Sequence, residues 1–372
     1  MSTQDVDIVV IGAGIAGATT AAHLAPHRRV ALIEMEESAG YHTTGRSAAM
    51  WLQNYGPLDV RELSRLSRAF FEAPPTGFSE VPLMRHRSVL FPARADQQAE
   101  MDAFLAEGIG LRVVTEAEAR AMQPALRPGY AATAAVEDDG FDMDVAAIHQ
   151  GFLRMLRAHG GVLALRHRSD AITRTGGVWA VATSAGVTFQ APVIVDAAGA
   201  WGDEVAAQAG VAPLGLQPKR RTAVIINPAP WDPEHWPMTI DVGHHWYARP
   251  EARTRLLVSP ADETPIHAHD VQPDELDVAI GIDRMQQALD IAVTRTERAW
   301  AGLRTFTPDG SLAIGWDGRT EGFFWAVGQG GYGIQTSPAA GQLAADLALG
   351  RDPGEAGGIV PVVAPARYAA AR

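Results

Sequence analysis

Two kinds of hydrophobic spacing alternate along this chain. Residues 7–11, apolar after Asp7, and 30–33 are short runs rich in β-branched side chains, the pattern of parallel strands buried on both faces. Between them, residues 18–25 are small, apolar and helix-forming, and they stop at Pro26. Residues 57–73 read as an amphipathic helix with Leu58, Leu63, Leu66 and Phe70 near one face. Residues 141–161 read as another, capped by Asp144, repeating at Ala147, Phe152 and Met155, and stopped by Gly160 and Gly161. The segment between, 81–136, mixes short strands and helices.

Residues 162–190 alternate as a strand meander that turns at Gly176 and Gly177. Residues 193–195 form a further buried strand, and Trp201 opens a helix after it. The stretches "RRTAVIINP" and "HHWYARPEARTRLLVSP" alternate like antiparallel strands, and 273–289 is helical. "GFFWAVGQGGYGIQTSPAAGQLAADLALG" reads as strand, glycine loop and helix. The order predicts an α/β (α+β) chain with a parallel sheet in one part and an antiparallel sheet in another.

Chemistry enters at the first turn. Gly12-Ala13-Gly14-Ile15-Ala16-Gly17 follows the first strand at once. Gly12 allows the tight turn, Gly14 lets a pyrophosphate approach the backbone, and Gly17 lets the helix pack on the strand. The helix N-terminus then offers free N–H groups to phosphates. Glu34 closes the second strand, 22 residues after Gly12, where a carboxylate accepts from ribose hydroxyls. Strand, helix, strand and acid together make a Rossmann-type dinucleotide site.

The next segment, "GYHTTGRSAAMWLQNYG" (40–56), separates FAD from NAD. Gly45, Ala48 and Ala49 are small enough for a ring system to approach. Thr43, Thr44, Arg46 and Ser47 can donate to phosphate oxygens and flavin heteroatoms. A plain helix start capped by Ser47 or Thr44 is compatible with the same residues. "DAAGAWG" repeats the logic: Ala198 and Gly199 permit close approach ahead of Trp201. So does the last loop, where Gly330, Gly331 and Gly333 bring a helix start at Ile334 to Thr336 against a ring, its dipole favouring electron density there.

Composition narrows the class. The chain has 372 residues, which suggests two domains or one large interleaved body. Its net charge is -12, and Lys219 is the only lysine, so neither nucleic acid nor an anionic membrane surface is an expected partner. With no cysteine, disulfides, thiolate metal sites and a cysteine-tethered cofactor are excluded. No secretory signal and no apolar run of spanning length is visible, so a cytoplasmic protein is expected. His244 and His245, like His267 and His269, read as surface histidines rather than metal ligands, and no metal site is expected.

With three glycine-rich elements in this order, the chain resembles the D-amino-acid-oxidase-like flavoproteins over about residues 5 to 345. "GYHTTGRSAA", "LGLQPKRR", "HDVQPDELD", "WAGLRTF" and "EGFFWAVGQGGYGIQTS" are similar to the bacterial D-arginine dehydrogenases within that family. The resemblance implies non-covalent FAD and a discontinuous flavin domain (1–80, 140–212 and 300–372). A substrate domain would comprise 81–139 and 213–299. It also implies oxidation of a D-amino acid by hydride transfer to flavin N5, then hydrolysis of the imino acid to a 2-oxo acid. The electron acceptor stays open between a quinone or another carrier and oxygen. An N-substituted or sarcosine-like substrate is the alternative.

By the same resemblance, Arg221, Arg304, Tyr55 and Tyr247 clamp the substrate carboxylate, Gln335 is a pocket glutamine, and the Gly331 carbonyl accepts from the amine. The match fails at the side-chain pocket. Met50 replaces a histidine, Leu52 a threonine, and Ser88 aligns with the acidic partner of the arginine side chain. A neutral or apolar substrate follows, unless Glu80, Asp241 or Glu251 enters the pocket.

Overall fold

A computed structural model describes residues 2–371. The continuous apolar runs form a six-stranded sheet. Its order is Val162–Ala164, Val30–Ile33, Ile8–Ile11, Val193–Asp196, Phe323–Val327 and Ala313–Trp316. The first five run parallel, and the last is antiparallel. Alternate residues face opposite layers. Ile8, Val10 and Leu32 pack against the helices Ile15–Leu24, Val145–Ala158 and Ser337–Leu349. Val9, Ile11 and Ile33 pack against Ile172, Trp179 and Phe189 of a small antiparallel sheet on the other side. Both faces are covered, which is why the strands carry no polar alternation.

The meander gives three strands of that covering sheet, Ser169–Thr175, Val178–Thr183 and Val187–Ala191, turning at Gly176 and Gly177 with φ of 59° and 85°, and Ser2–Asp5 adds a fourth, parallel to the last. Its expected first strand, Val162–Ala164, instead joins the parallel sheet beside Val30–Ile33.

A nine-stranded sheet forms the other large layer. Strand Gln217–Ile226 pairs antiparallel with Thr296–Phe306 on one side and with Arg255–Ser259 on the other. Residues 219, 221 and 223 share one face. Tyr247 pairs with Ser259 in the next strands and joins that face beside Ala223. The opposite face, with Val224, Val258 and Ala248, packs on the helix Glu275–Ala288. A fourth, small sheet of Met50–Trp51, Phe141–Met143 and Met84–His86 ties the stretch after residue 49 to both layers.

Two helices are shifted in phase from the sequence reading. In Leu58–Glu72, Leu63 is buried and Leu66 and Phe70 pack half-buried on the core as expected, but Leu58 is 79% exposed, and Val60 and Phe71 are buried in addition. Ser64 and Ser67 are also fully buried, because they serve hydrogen bonds rather than packing alone. In Val145–Ala158, Asp144 caps the Ala147 N–H at 2.8 Å as expected, but Ile148, His149 and Leu156 join Phe152 in the core. Ala147 and Met155 are only half-buried. Regular helix at the last glycine loop starts at Ser337, three residues after Ile334.

Among the described residues, no helix is long and apolar enough to cross a membrane, and no group of three His, Cys, Asp or Glu is placed to hold a metal. His244 and His245 are exposed, and His267 stacks on His269.

Candidate functional site

One cavity of about 430 Å³ runs from the turn after the first strand to the inner face of the nine-stranded sheet. At the first end the three glycines divide their work as their spacing suggests. Gly12 has φ of +99°, and a Cβ there would lie 2.6 Å from the Ala197 carbonyl oxygen. A Cβ on Gly17 would lie 1.9 Å from the Gly12 carbonyl oxygen, so helix and turn touch through backbone alone. Gly14 lines the cavity with Ile15 and Ala16, and a Cβ there would lie 3.4 Å from the Thr44 hydroxyl oxygen.

Glu34 also lines it, 8% exposed. One carboxylate oxygen accepts from Ala13 N–H at 2.8 Å, the other from Glu36 N–H at 3.0 Å. Each oxygen keeps a lone pair for a further donor. Ala13 itself faces away: its carbonyl accepts from buried His149 at 2.9 Å. Burial lowers the pKa of His149, so its neutral ring donates here. Sequence reading missed this histidine, since no motif marks it. Arg168, Ser169 and Asp170, from the covering sheet, line the same end and carried no signal either.

The stretch after residue 40 divides. Thr43, Thr44, Ser47 and Ala48 line the cavity. Thr44 accepts from the Ile15 N–H at 2.9 Å, and so caps the first helix from a distance. No helix starts locally; Thr44–Arg46 is a single tight turn without a side-chain cap. The guanidinium of Arg46 lies along the wall but is committed to Asp270 and to the carbonyls of Val271 and Ala301, so it has little left for a phosphate. Gly45 is needed for its turn, where a Cβ would lie 2.7 Å from the Gly40 oxygen. Ala49 lies outside the cavity, its carbonyl accepting from Met143.

Ala198, Gly199 and Trp201 line the cavity, with Trp201 packed on His42 at 4.6 Å. So do Gly330, Gly331, Gly333 and Ile334. Thr336 does not: its N–H and hydroxyl both donate to the Tyr332 carbonyl. The segment leading to it is a series of turns, so the helix dipole starts deeper than the sequence suggested.

At the far end Arg221, Arg304 and Tyr247 come together. Arg221 faces Gly302 across the strand pair, and Arg304 faces Lys219. Gly302 leaves the room that a side chain would fill. Arg221 donates through Nε to the Asp262 carbonyl at 2.8 Å and through Nη2 to Glu263 at 3.1 Å. Ala261, with φ of +54°, turns the chain so that both acceptors reach it. Glu263 also takes Lys219 at 2.9 Å.

Arg304 donates to the Tyr55 hydroxyl at 2.8 Å and has no carboxylate partner among the described residues. Burial would lower its pKa, but Tyr55 and Tyr247 outweigh that and the net direction is up. Burial likewise opposes ionisation of Tyr247, yet Arg304 and Arg221 bring its pKa below that of a free phenol. Arg304 therefore stays charged. A Cβ on Gly331 would lie 2.7 Å from Arg304 Nη1 and 3.1 Å from the Tyr55 hydroxyl. Tyr55 stacks edge-on against Tyr332, another residue that sequence reading passed over.

The remaining pocket candidates stand behind this wall. Gln335 is 2% exposed and spends its amide on Leu52 and on Ser64 at 2.8 Å. Met50 and Leu52 belong to an apolar cluster with Tyr247, Ile240 and Phe91. Ser88 is a strand junction whose carbonyl accepts from Met238. None of the acids considered as replacements lines the cavity. Glu80 is exposed, Asp241 is buried against Gln97 and His245, and Glu251 pairs with Arg249.

A profile of the family described as DAO, FAD dependent oxidoreductase, matches residues 7–347. The chain is 27% identical to glycine oxidase of Geobacillus kaustophilus (strain HTA426), over 93% of each chain. It is 27% identical to glycine oxidase of Pseudomonas aeruginosa, over 98% of each. The solved structure of L-proline dehydrogenase from P. horikoshii superposes with a TM-score of 0.82 at 22% identity, over 100% of both chains. These relatives are named for glycine and L-proline rather than for D-arginine.

Proposed function

The chain belongs to the DAO family of FAD-dependent oxidoreductases, and from that premise we propose that it oxidises a neutral or apolar D-amino acid to the imino acid. The observation that carries this reading is Arg304, a cation held at the cavity wall without a carboxylate of its own among the described residues. A substrate carboxylate supplies the missing anion. Guanidinium forks suit carboxylates because two parallel donors meet two acceptors. Arg221, already half-spent on Asp262 and Glu263, is the second donor, and the hydroxyls of Tyr55 and Tyr247 complete the cradle.

The residues around the first glycine turn fit an FAD adenosine and pyrophosphate. Glu34 has free lone pairs, Gly14 presents bare backbone to the cavity, and Thr44 keeps a hydroxyl proton to donate. Bound FAD supplies a hydride acceptor, and the chain supplies orientation and electrostatics. Anchoring the carboxylate fixes the Cα–H direction. The Gly331 carbonyl, in the loop that lines the cavity, accepts from the amine in this reading, and a neutral amine lets its lone pair drive loss of hydride. Water then hydrolyses the imine. No protein base is required.

The side-chain preference rests on Met50 and Leu52. Their apolar cluster backs the Tyr247 wall, and no acid joins it at the cavity. An unpaired substrate cation would be costly to bury there. A second reading, oxidation of glycine or an N-substituted amino acid, is favoured by the curated relatives, three of which are glycine oxidases.

An anaerobic flavin-bleaching screen over D-, L- and N-methyl amino acids decides. D-leucine or D-methionine should bleach the flavin faster than D-arginine. Bleaching led by glycine or an N-methyl amino acid selects the second reading, and a lead by D-arginine defeats the side-chain argument.

A further inference from the structure

Tyr55 reaches Arg304 from residues 52–57, a loop with no regular structure of its own. One carboxylate holds that loop. Glu137 ends the strand Thr133–Glu137 and is 2% exposed. One of its oxygens accepts from the Gln53 N–H at 2.7 Å, and the other from Asn54 Nδ2 at 3.0 Å. Asn54 also brackets Ile109, donating to its carbonyl at 3.0 Å and accepting from its N–H at 2.7 Å. The two residues immediately before Tyr55 are thus both fixed through Glu137.

Resting on the reading that Tyr55 helps to hold the substrate carboxylate, we infer that Glu137 is a positioning residue for substrate binding. As a carboxylate it fixes Gln53 and Asn54, and so sets the Tyr55 hydroxyl against Arg304.

The chemistry requires an acceptor-only group. An ionised carboxylate offers lone pairs on both oxygens to the two N–H donors. A protonated acid or an amide presents a donor to one of them. Glu137 also has no ion-pair partner among the described residues to hold it ionised. On its own strand end, Asp138 pairs with Arg112 of the neighbouring strand and Asp139 with Arg68 of the helix Leu58–Glu72. Arg61 of that helix pairs with Glu107. The adjoining strand Val89–Ala93 carries no charge. Burial therefore raises the Glu137 carboxyl above the usual carboxylate range, opposed by the Asn54 and Gln53 hydrogen bonds and assisted by Asp139. Acid removes the charge, and with it one of the two contacts.

The test measures binding of pyruvate, an anion that stays ionised through the acid range, to the FAD-loaded protein by the change in flavin absorbance. Wild-type affinity should fall as pH drops through the Glu137 titration. Glu137→Gln should weaken binding roughly tenfold at neutral pH, the scale of one hydrogen bond to a charged group, and should lose that acid limb. FAD affinity should not change. In a Tyr55→Phe background the same substitution should cost less, because both act on one contact. Wild-type affinity in Glu137→Gln, or strictly additive effects in the double variant, overturns the inference. If Glu137→Gln does not fold, Asn54→Ser, which keeps the carboxylate, carries the same comparison. Pyruvate binding unchanged in Arg304→Met would instead remove the clamp reading itself, and this inference with it.

Discussion

Arg221 and Arg304 are equivalent in the sequence and unequal in their surroundings. Arg221 already has the Asp262 carbonyl and Glu263, and among the described residues Arg304 has only the Tyr55 hydroxyl. Removing one half of a desolvated charge pair costs roughly 2–5 kcal/mol. Arg304→Met should therefore lower kcat/KM by orders of magnitude, and Arg221→Met by less, with FAD still bound in both. Equal losses would contradict the ranking. The clamp was legible as residue types in motifs. The ranking was not, because it depends on Glu263 and on a left-handed Ala261, neither of which any spacing marks. Gln335 illustrates the reverse. Its motif position suggested a pocket residue, yet its amide is spent on Leu52 and Ser64.

At the scale of elements, glycines did more than permit ligand approach. Gly331 is open toward the cavity, but a Cβ there would meet Arg304 Nη1 at 2.7 Å. Gly331→Ala should thus displace the Arg304–Tyr55 pair and raise KM at least tenfold, while the flavin spectrum without substrate stays unchanged. A normal KM would show that the pair can shift without cost. The glycine turn, the strands and the long helices were readable because apolar periodicity and backbone freedom are local. Helix phase was readable only in part: Leu63 and Phe152 are buried as expected. Leu58 is 79% exposed, since the buried face of its helix is set by what Ser64 and Ser67 bond to. His149 shows the same limit: it braces the Ala13 carbonyl from another helix, and only the packing of the two helices makes it a partner. Replacing it by Phe should weaken FAD affinity while substrate affinity of the loaded enzyme changes little. Equilibrium FAD titration measures the first, and unchanged FAD affinity would reduce His149 to a core residue.

At the scale of the molecule, the cavity is assembled from segments that begin at residue 11 and end at residue 334. Neither large sheet encloses it alone. The parallel sheet supplies Gly14 and Glu34, the nine-stranded sheet supplies Arg221, Tyr247 and Arg304, and the loops after residues 40 and 327 close the sides. The unfolded chain has no such site, so FAD binds only the folded protein and must stabilise it. A ligand at 100 times its Kd contributes about 2.7 kcal/mol by mass action alone. Stripping FAD should lower Tm by several degrees, and adding it back should restore Tm in proportion to the logarithm of its concentration. With no cysteine in the chain, nothing of that type can tether the flavin. Acid or heat denaturation of the loaded protein should then release free FAD into the supernatant. Flavin that remains with the precipitated chain would mean a bond through another side chain, and the Tm dependence on free FAD would vanish with it.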